Sequence, residues 1–401
     1  MHLRTLDDMD VAGRRVLVRA DLNVPIREGA VADAARILAC APTLRELTER
    51  GGKPVVMSHL GRPGGKRVTR CSLRPVAGPL SDALGGIDVQ FAGDCLGDAA
   101  RHAVDAQKEG AVVLLENLRF HPGEEENDPD FAAALARLGD AYVNDAFSAC
   151  HRSHASIVGL PGLLEAAAGR LLQRELESLE HYLADPAHPY VAVLGGAKVS
   201  SKLGVLRTLA GRVDALVLGG GMANTFLAAQ GIGVGRSLRE DGLFDEVARI
   251  REAAARAGCR IVLPEDVVIA RALEAHAPCR VVGVGEIPEE SMVLDLGPRS
   301  VGRIVRELDS AATVVWNGPI GASEFEGFEH GTQQVARAIA GRTREGPLVS
   351  VAGGGETQAA LARAGAADAF TYVSLGGGAF LDWLAAKELP GVRVLRRTVA
   401  A

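Results

Sequence analysis

The chain has 401 residues, with 47% hydrophobic and 23% charged side chains. That length points to two domains, and the composition excludes disorder and a disulfide-dependent miniature fold. A formal net charge of -6 gives no overall attraction to nucleic acid or anionic membrane, so any anion site must come from locally placed arginines.

Aromatic residues make up only 4%, so a base-stacking nucleic-acid surface is not expected. The opening stretch "MHLRTLDDMDVAGRRVLVRADLNVP" lacks an apolar segment of signal-peptide length, and no apolar run of about 18 residues occurs. Neither secretion nor membrane insertion is therefore expected. Six cysteines (Cys40, Cys71, Cys95, Cys150, Cys259, Cys279) are scattered without a C-x-x-C pair, which fits a reducing, cytoplasmic setting.

In chain order, short apolar runs of strand length stand at 15–20, 54–59, 111–116, 141–145, 190–195, 215–220, 260–265, 313–318, 348–353 and 371–376. Alanine-rich stretches with helical spacing alternate with them, among them "DPDFAAALARLGD", "LFDEVARIREAAARAG" and "GTQQVARAIAGRT". Strands that are apolar throughout and separated by helices predict parallel sheets covered on both faces. The expected fold class is α/β, with two Rossmann-like three-layer domains, each a parallel sheet flanked by helices. The segment "LLEAAAGRLLQRELESLEHYL" (163–183) has helical periodicity and is expected either to join the two halves as a hinge helix or to cover a sheet.

Ligands of such sheets gather beyond the carboxyl ends of the strands. There the two halves differ. The N-terminal runs lead into "RADLNVP", "SHLGRP", "ENLRFHPGEEEND" and "NDAFSACHRSHAS", and most C-terminal ones into "LGGAKVSSK", "GGGMANTF", "WNGPIGASEFE", "AGGGETQ" and "LGGGAF". Arg19, Arg36, His59, Arg62, Arg119, His151 and Arg152 offer forks and rings suited to a phosphorylated acid, with Asp21 and Asn23 as acceptors for its hydroxyls. The alternative for each arginine is an ordinary ion pair with Asp21, Glu116 or Asp145. The glycine-rich half lets backbone N–H groups approach phosphates at helix starts, and Lys198 and Lys202 can reach a transferring phosphoryl group. No Walker loop, protein-kinase motif set or G-x-S-x-G elbow occurs, and zinc at the His151/His154 pair is not expected between arginines.

These motifs occur in the order found in phosphoglycerate kinases, and the sequence closely resembles that family along nearly its whole length. The resemblance implies a two-domain monomer with a phosphoglycerate-binding domain at 1–164, a nucleotide-binding domain at 165–389, and a tail, 390–401, that packs back on the first. It implies reversible phosphoryl transfer between Mg-ATP and the carboxylate of 3-phosphoglycerate, giving 1,3-bisphosphoglycerate and ADP, with domain closure. Asp21, Asn23, Arg36, His59, Arg62, Arg119 and Arg152 match the acid ligands. Arg36 and Lys198, with backbone N–H groups at Gly354 and Gly376 to Gly378, including Gly377, match the groups around the phosphoryl in flight. Lys202, Glu324, Gly354, Gly355, Glu356 and Thr357 match the nucleotide contacts, and Glu356 the Mg²⁺ ligand, although an acidic first-turn residue also simply suits a helix dipole.

Three positions depart from the pattern: Glu356 where aspartate is usual, Leu375 for threonine, and Ser323 for phenylalanine. Two further readings stay open on these residues: a sibling carboxylate kinase acting on an analogue of 3-phosphoglycerate, and a catalytically silent protein that only binds the acid. Partners are expected to be small molecules, with no nucleic acid and no membrane.

Overall fold

The structure is a computed structural model and describes residues 3–396. The chain divides into two compact units, one running up to Glu177 and resuming at Glu388, the other Ser178–Lys387. In the first, six parallel strands lie in the order Val89–Phe91, Val112–Leu114, Lys53–Met57, Arg15–Ala20, Ala141–Asp145, Glu165–Ala168. The direction of winding reverses between Arg15–Ala20 and Ala141–Asp145. Both strands are buried almost end to end, as a sheet covered on two faces requires. Val16, Val18 and Ala20 pack with Ile37, Leu44 and Leu47 of the helix Ala35–Glu49.

In the second unit the main sheet is also parallel, ordered Arg260–Val262, Ala215–Leu218, Tyr190–Leu194, Thr313–Asn317, Val349–Gly353, Tyr372–Ser374. This is the doubly wound order, and its reversal falls between Tyr190–Leu194 and Thr313–Asn317. Val191, Val193, Val314 and Trp316 pack with Ile304, Val335 and Ile339 of the covering helices. A smaller antiparallel sheet adds Cys279–Gly283, Asp266–Ala270 and Met292–Leu296. The apolar runs read from sequence coincide with strands of the two parallel sheets. The antiparallel sheet escaped that reading because one edge, from Cys279 to Val281, is exposed and carries no buried-strand signature.

The segment 163–183 is not helical throughout. Glu165–Ala168 is an edge strand paired with Ala141 to Asn144, and the helix begins only at Arg170. Gly169 makes the turn, where a Cβ would stand 2.3 Å from Asp145 Oδ1. Residues 165–168 thus belong to the first sheet, and the division between the units falls inside the helix Arg170–Leu183 rather than at 164/165. Of the tail 390–396, Gly391 donates to Cys150 O (2.9 Å) and Leu395 O accepts from Arg4 N–H (3.1 Å), both within the first unit; residues 397–401 of the expected tail lie outside the described residues.

The start of that helix is held from the strand beside it. Asp145, fully buried, accepts from Leu171 N–H (2.9 Å) and Leu172 N–H (3.3 Å), while Thr43 Oγ1 accepts from Arg170 N–H (2.8 Å). Burial pushes the Asp145 carboxyl up from 3.8 to about 6 against the pull of these donors. A raised folded-state pKa means that stability present below the unfolded value is lost as pH rises through the folded one. Relative to Asp145→Asn, the wild type should lose about 3 kcal/mol between pH 4 and 7, at ~1.4 kcal/mol per unit, an upper figure. Urea midpoints of the two proteins measured across that range check this; a pH-independent difference would contradict it.

Candidate functional site

In the first unit the charged residues collect beyond the winding reversal. Asp21 follows the strand Arg15–Ala20 directly, and its Oδ2 accepts hydrogen bonds from Arg36 Nη1 and Ser148 Oγ. Burial is the largest single influence and would raise this carboxyl, but the Arg36 guanidinium and the other groups around it, Ser148 Oγ and Asn23 N–H among them, together outweigh it and hold the group at about 2. Asn23 donates its N–H to Asp21 Oδ1 (3.1 Å) and accepts from Gly61 N–H through Oδ1 (2.9 Å), which joins two strand-end loops.

Arg19 does not face a ligand. It is fully buried and donates to Ser156 Oγ (2.9 Å), Ala20 O (2.6 Å) and His59 Nδ1 (3.0 Å). Because a guanidinium has only donors, Nδ1 must be the acceptor, so the His59 proton sits on Nε2. Burial, followed by Arg19, drives the His59 pKa well below 6.5. Arg19 is thus the residue that orients His59, a role the sequence did not separate from that of the other arginines.

Arg119 has a side chain only 2% exposed. Its Nη1 donates to Gly61 O (2.9 Å) and its Nε lies 3.3 Å from Glu125 Oε1, while Nη2 is sealed from solvent without a hydrogen-bond partner. Burial, then Arg152 and Arg19, lower its pKa to about 10. Arg152, half-buried, is likewise lowered by burial and by Arg62, which is itself exposed. These cations depress one another, and an unused sealed donor stands among them, an excess of positive charge that an anion would offset. Asn117, unrecognised in the sequence, braces it by donating to Leu60 O (2.7 Å) and Cys71 O (2.8 Å) while accepting from Arg119 N–H (3.0 Å). His154 lies 3.7 Å from the buried Glu124, which also accepts from Ser156.

The second unit has a cavity of ≈ 390 Å³ at its own winding reversal, walled by Gly196, Ala197, Pro319, Ser323, Glu324 and Glu356 among others. A Cβ on Gly195 would fall 1.9 Å from Pro319 O, so the two strand ends approach at a distance only glycine permits. Lys202 Nζ clasps them, donating to Gly195 O (2.6 Å) and Asn317 O (3.1 Å). Burial lowers its pKa to about 8, with Glu356 pulling the other way.

Gly354 has φ +101°, and a Cβ there would meet Asn317 Nδ2 at 2.8 Å. The helix Gly355–Arg363 starts immediately after it, with Glu356 exposed in its first turn. Thr357 is buried, its hydroxyl accepting from Gly318 N–H (2.7 Å) and donating to Gly353 O (2.9 Å), so it holds the loop rather than presenting an oxygen to the cavity. Ser323 Oγ accepts from Arg363 Nη2 (3.4 Å). Arg363 and the apolar wall from Met292 to Leu294 were not picked out from sequence, since they stand on a helix face and on the unrecognised antiparallel sheet.

Lys198 is exposed in the turn after Tyr190–Leu194. Gly377, at φ +52°, precedes the helix Gly378–Leu384. Arg36 and the acid-side set lie in the first unit, and Lys198, Lys202, Glu324, Gly354 to Thr357 and Gly377 in the second.

The family profile for phosphoglycerate kinase matches residues 6–387. The chain belongs to the phosphoglycerate kinase family. It is 54% identical to the phosphoglycerate kinase of Granulibacter bethesdensis over 396 residues, covering 99% of this chain and 100% of that one. With the phosphoglycerate kinase of Azorhizobium caulinodans it shares 55% over 394 residues, 98% and 99% of the two chains. Among solved structures, the phosphoglycerate kinase from Coxiella burnetii matches with a TM-score of 0.83 at 37% identity, and that from Pyrococcus horikoshii with 0.84 at 32%; each comparison covers 98% of both chains. Two parallel-sheet α/β units are the fold of this phosphoglycerate kinase family member. No helix among the described residues is long and apolar enough to cross a membrane.

The His59 tautomer is directly measurable. Its depressed pKa means the neutral ring persists as pH falls below 6.5, and because the unfolded chain takes up the proton first, the stability linked to the neutral ring is lost progressively from pH 6.5 down to the lower folded value. Nitrogen-15 NMR in an anion-free buffer should show protonated Nε2 and bare Nδ1 at pH 6. A doubly protonated ring at that pH would overturn the assignment.

Proposed function

We propose that this phosphoglycerate kinase family member transfers a phosphoryl group reversibly between Mg-ATP and the carboxylate of 3-phosphoglycerate, with the acid held by the first unit and the nucleotide by the second. The observation that carries the acid side is Arg119: a sealed cation with an unused donor, beside Arg152, is costly unless an anion completes it. Asp21, Asn23, Arg36, His59, Arg62 and Arg152 complete that pocket in this reading. On the nucleotide side, glycine-limited strand ends, the helix start at Gly354 and Gly355 and a cavity of ≈ 390 Å³ suit a mononucleotide whose phosphates approach backbone N–H groups. Lys202, Glu324, Glu356 and Thr357 are its contacts or, for Thr357, the brace of its loop.

A carboxylate with a pKa near ~4 is ionised at neutral pH, so it attacks without a general base. The residues have to align it in-line, exclude water and neutralise charge on the moving group. Arg36 and Lys198, with the backbone N–H groups at Gly354 and Gly377, do so in this proposal. Since they belong to different units, transfer requires a closed state, in which the same closure keeps water from the nucleotide. Glu356, an exposed carboxylate on the cavity wall, fits a hard cation that takes oxygen ligands and keeps several of them from phosphate and water. Bound there, Mg²⁺ would supply neutralisation of the phosphate oxygens. The chain is proposed to act in the cytoplasm as a monomer, with small-molecule partners and neither nucleic acid nor membrane.

A coupled assay with purified protein, ATP, magnesium and 3-phosphoglycerate tests the reading. Turnover is expected. Turnover confined to an analogue of the acid would identify a sibling carboxylate kinase, and calorimetric binding of the acid without nucleotide binding would identify a silent protein. Glu356→Asp shortens the carboxylate stem by one methylene, and we expect it to lower the nucleotide KM by about threefold to tenfold with a reduced magnesium requirement, given the strict geometry of that ion. Unchanged values for both would remove Glu356 from the metal site.

A further inference from the structure

We propose that Asp94, Cys95 and His121 of the first unit form a binding site for a zinc-class divalent cation, apart from the acid cradle and the nucleotide cavity. One ligand atom from each, a carboxylate oxygen, the thiol sulfur and an imidazole nitrogen, lies within 4.8 Å of the others. A tetrahedral zinc with bonds of about 2.0–2.3 Å spaces its ligands roughly 3.3–3.8 Å apart, so closing the trio takes side-chain movements of about 1 Å.

The fold brings these residues together from separate loops. Asp94 and Cys95 follow the strand Val89–Phe91 and precede the helix Gly97–Asp105, whereas His121 follows the neighbouring strand Val112–Leu114 and the turn Leu118–Phe120. Asp94 Oδ1 accepts from Cys95 N–H (2.7 Å) and lies 2.7 Å from His121 Nε2, which fixes both side chains toward one point. His121 is further set by its ring packing on Phe131, centroids 5.7 Å apart.

The charge around the thiol favours a cation. Cys95 is fully buried within electrostatic reach of Asp94, Glu124 and Glu116. Arg67 donates to Gly93 O, next in the chain to Asp94, and lies 5.7 Å from the Phe120 ring centroid. A soft thiolate and a borderline imidazole choose zinc over magnesium, so the site does not compete for the proposed nucleotide metal. Side-chain exposures of 32% for His121 and 37% for Asp94 leave an entry path and room for a water as fourth ligand.

On binding, the Cys95 S–H bond breaks and its proton leaves to solvent as the sulfur–metal bond forms. The imidazole gives the lone pair of one ring nitrogen and keeps its proton on the other, and the Asp94 carboxylate, released from His121, binds through oxygen. One proton is therefore released for each thiol engaged.

Cobalt(II) is the probe, titrated into the metal-free full-length protein under reducing conditions. A sulfur-to-cobalt charge-transfer band in the near ultraviolet is expected, saturating at one metal per chain and bleached by one equivalent of zinc, with proton release visible as buffer-dependent calorimetric heat. Cys95→Ser should abolish the band, and His121→Asn should weaken zinc binding by about tenfold or more, since each removes one of three protein ligands. His121 is partly exposed, so that variant keeps the test intact should the buried Cys95→Ser fail to fold. The absence of a charge-transfer band from the wild type, or full zinc affinity in His121→Asn, would overturn the proposal. None of these readouts depends on phosphoryl transfer, so its failure and that of the kinase reading are separate results.

Discussion

Arg119 carries a positive charge to a place that water does not reach, and the rest of the first unit's site depends on keeping it there. Moving an ion out of water costs several kcal/mol. That cost is offset only in part, by Gly61 O, by Glu125 and by the Asn117 brace, while Arg152 adds repulsion. The imbalance is what makes the arrangement useful. In the proposed reading an anion drawn to this pocket relieves the uncompensated charge, once the side chains that seal Nη2 give way to it. Arg19 serves the same end from beneath, taking the Nδ1 lone pair of His59 so that the ring presents its proton from Nε2.

The second unit solves the opposite problem with backbone instead of side-chain charge. Its strand ends meet at Gly195 and Pro319, too close for any other residue at 195, and Lys202 ties the Gly195 and Asn317 carbonyls across the reversal. This lysine is partly consumed by structure: its ammonium already has two acceptors, and burial brings its pKa down to about 8. Thr357 is consumed likewise, through Gly318 and Gly353. Such internal bracing suits the proposed phosphate cradle, because N–H groups aim well only when their peptide planes are fixed.

The sequence made the parallel strands legible because they are apolar from end to end, and made the site legible because strand ends in such sheets gather ligands. It failed where burial is decided by neighbours. Ala166 to Ala168 read as helix from the periodicity of the segment around them, yet they pair as an edge strand beside Ala141 to Asn144. Arg19 and Arg119 look alike as residues, and only the structure separates the one that orients a histidine from the one that keeps a donor unused. Asp94, Cys95 and His121 carry no local spacing signal, since the histidine comes from a different strand end. Nothing short of the strand order would have joined them.

The three departures from the family pattern have different physical weights. At Ser323 an apolar contact is exchanged for a hydroxyl that accepts from Arg363, so that side of the cavity becomes polar rather than empty. At Leu375 a hydroxyl is lost beside the start of Gly378–Leu384, but Ser374 Oγ accepts from Gly376 N–H (3.0 Å), and the turn keeps a side-chain brace one residue earlier. Both changes are therefore absorbed locally. Glu356 is different, because its carboxylate is exposed on the cavity wall and its added methylene is not taken up by packing. A backbone-built site tolerates changed side chains wherever the peptide planes stay fixed, and under the proposed metal role it is sensitive at Glu356, where a side chain itself would have to reach an ion.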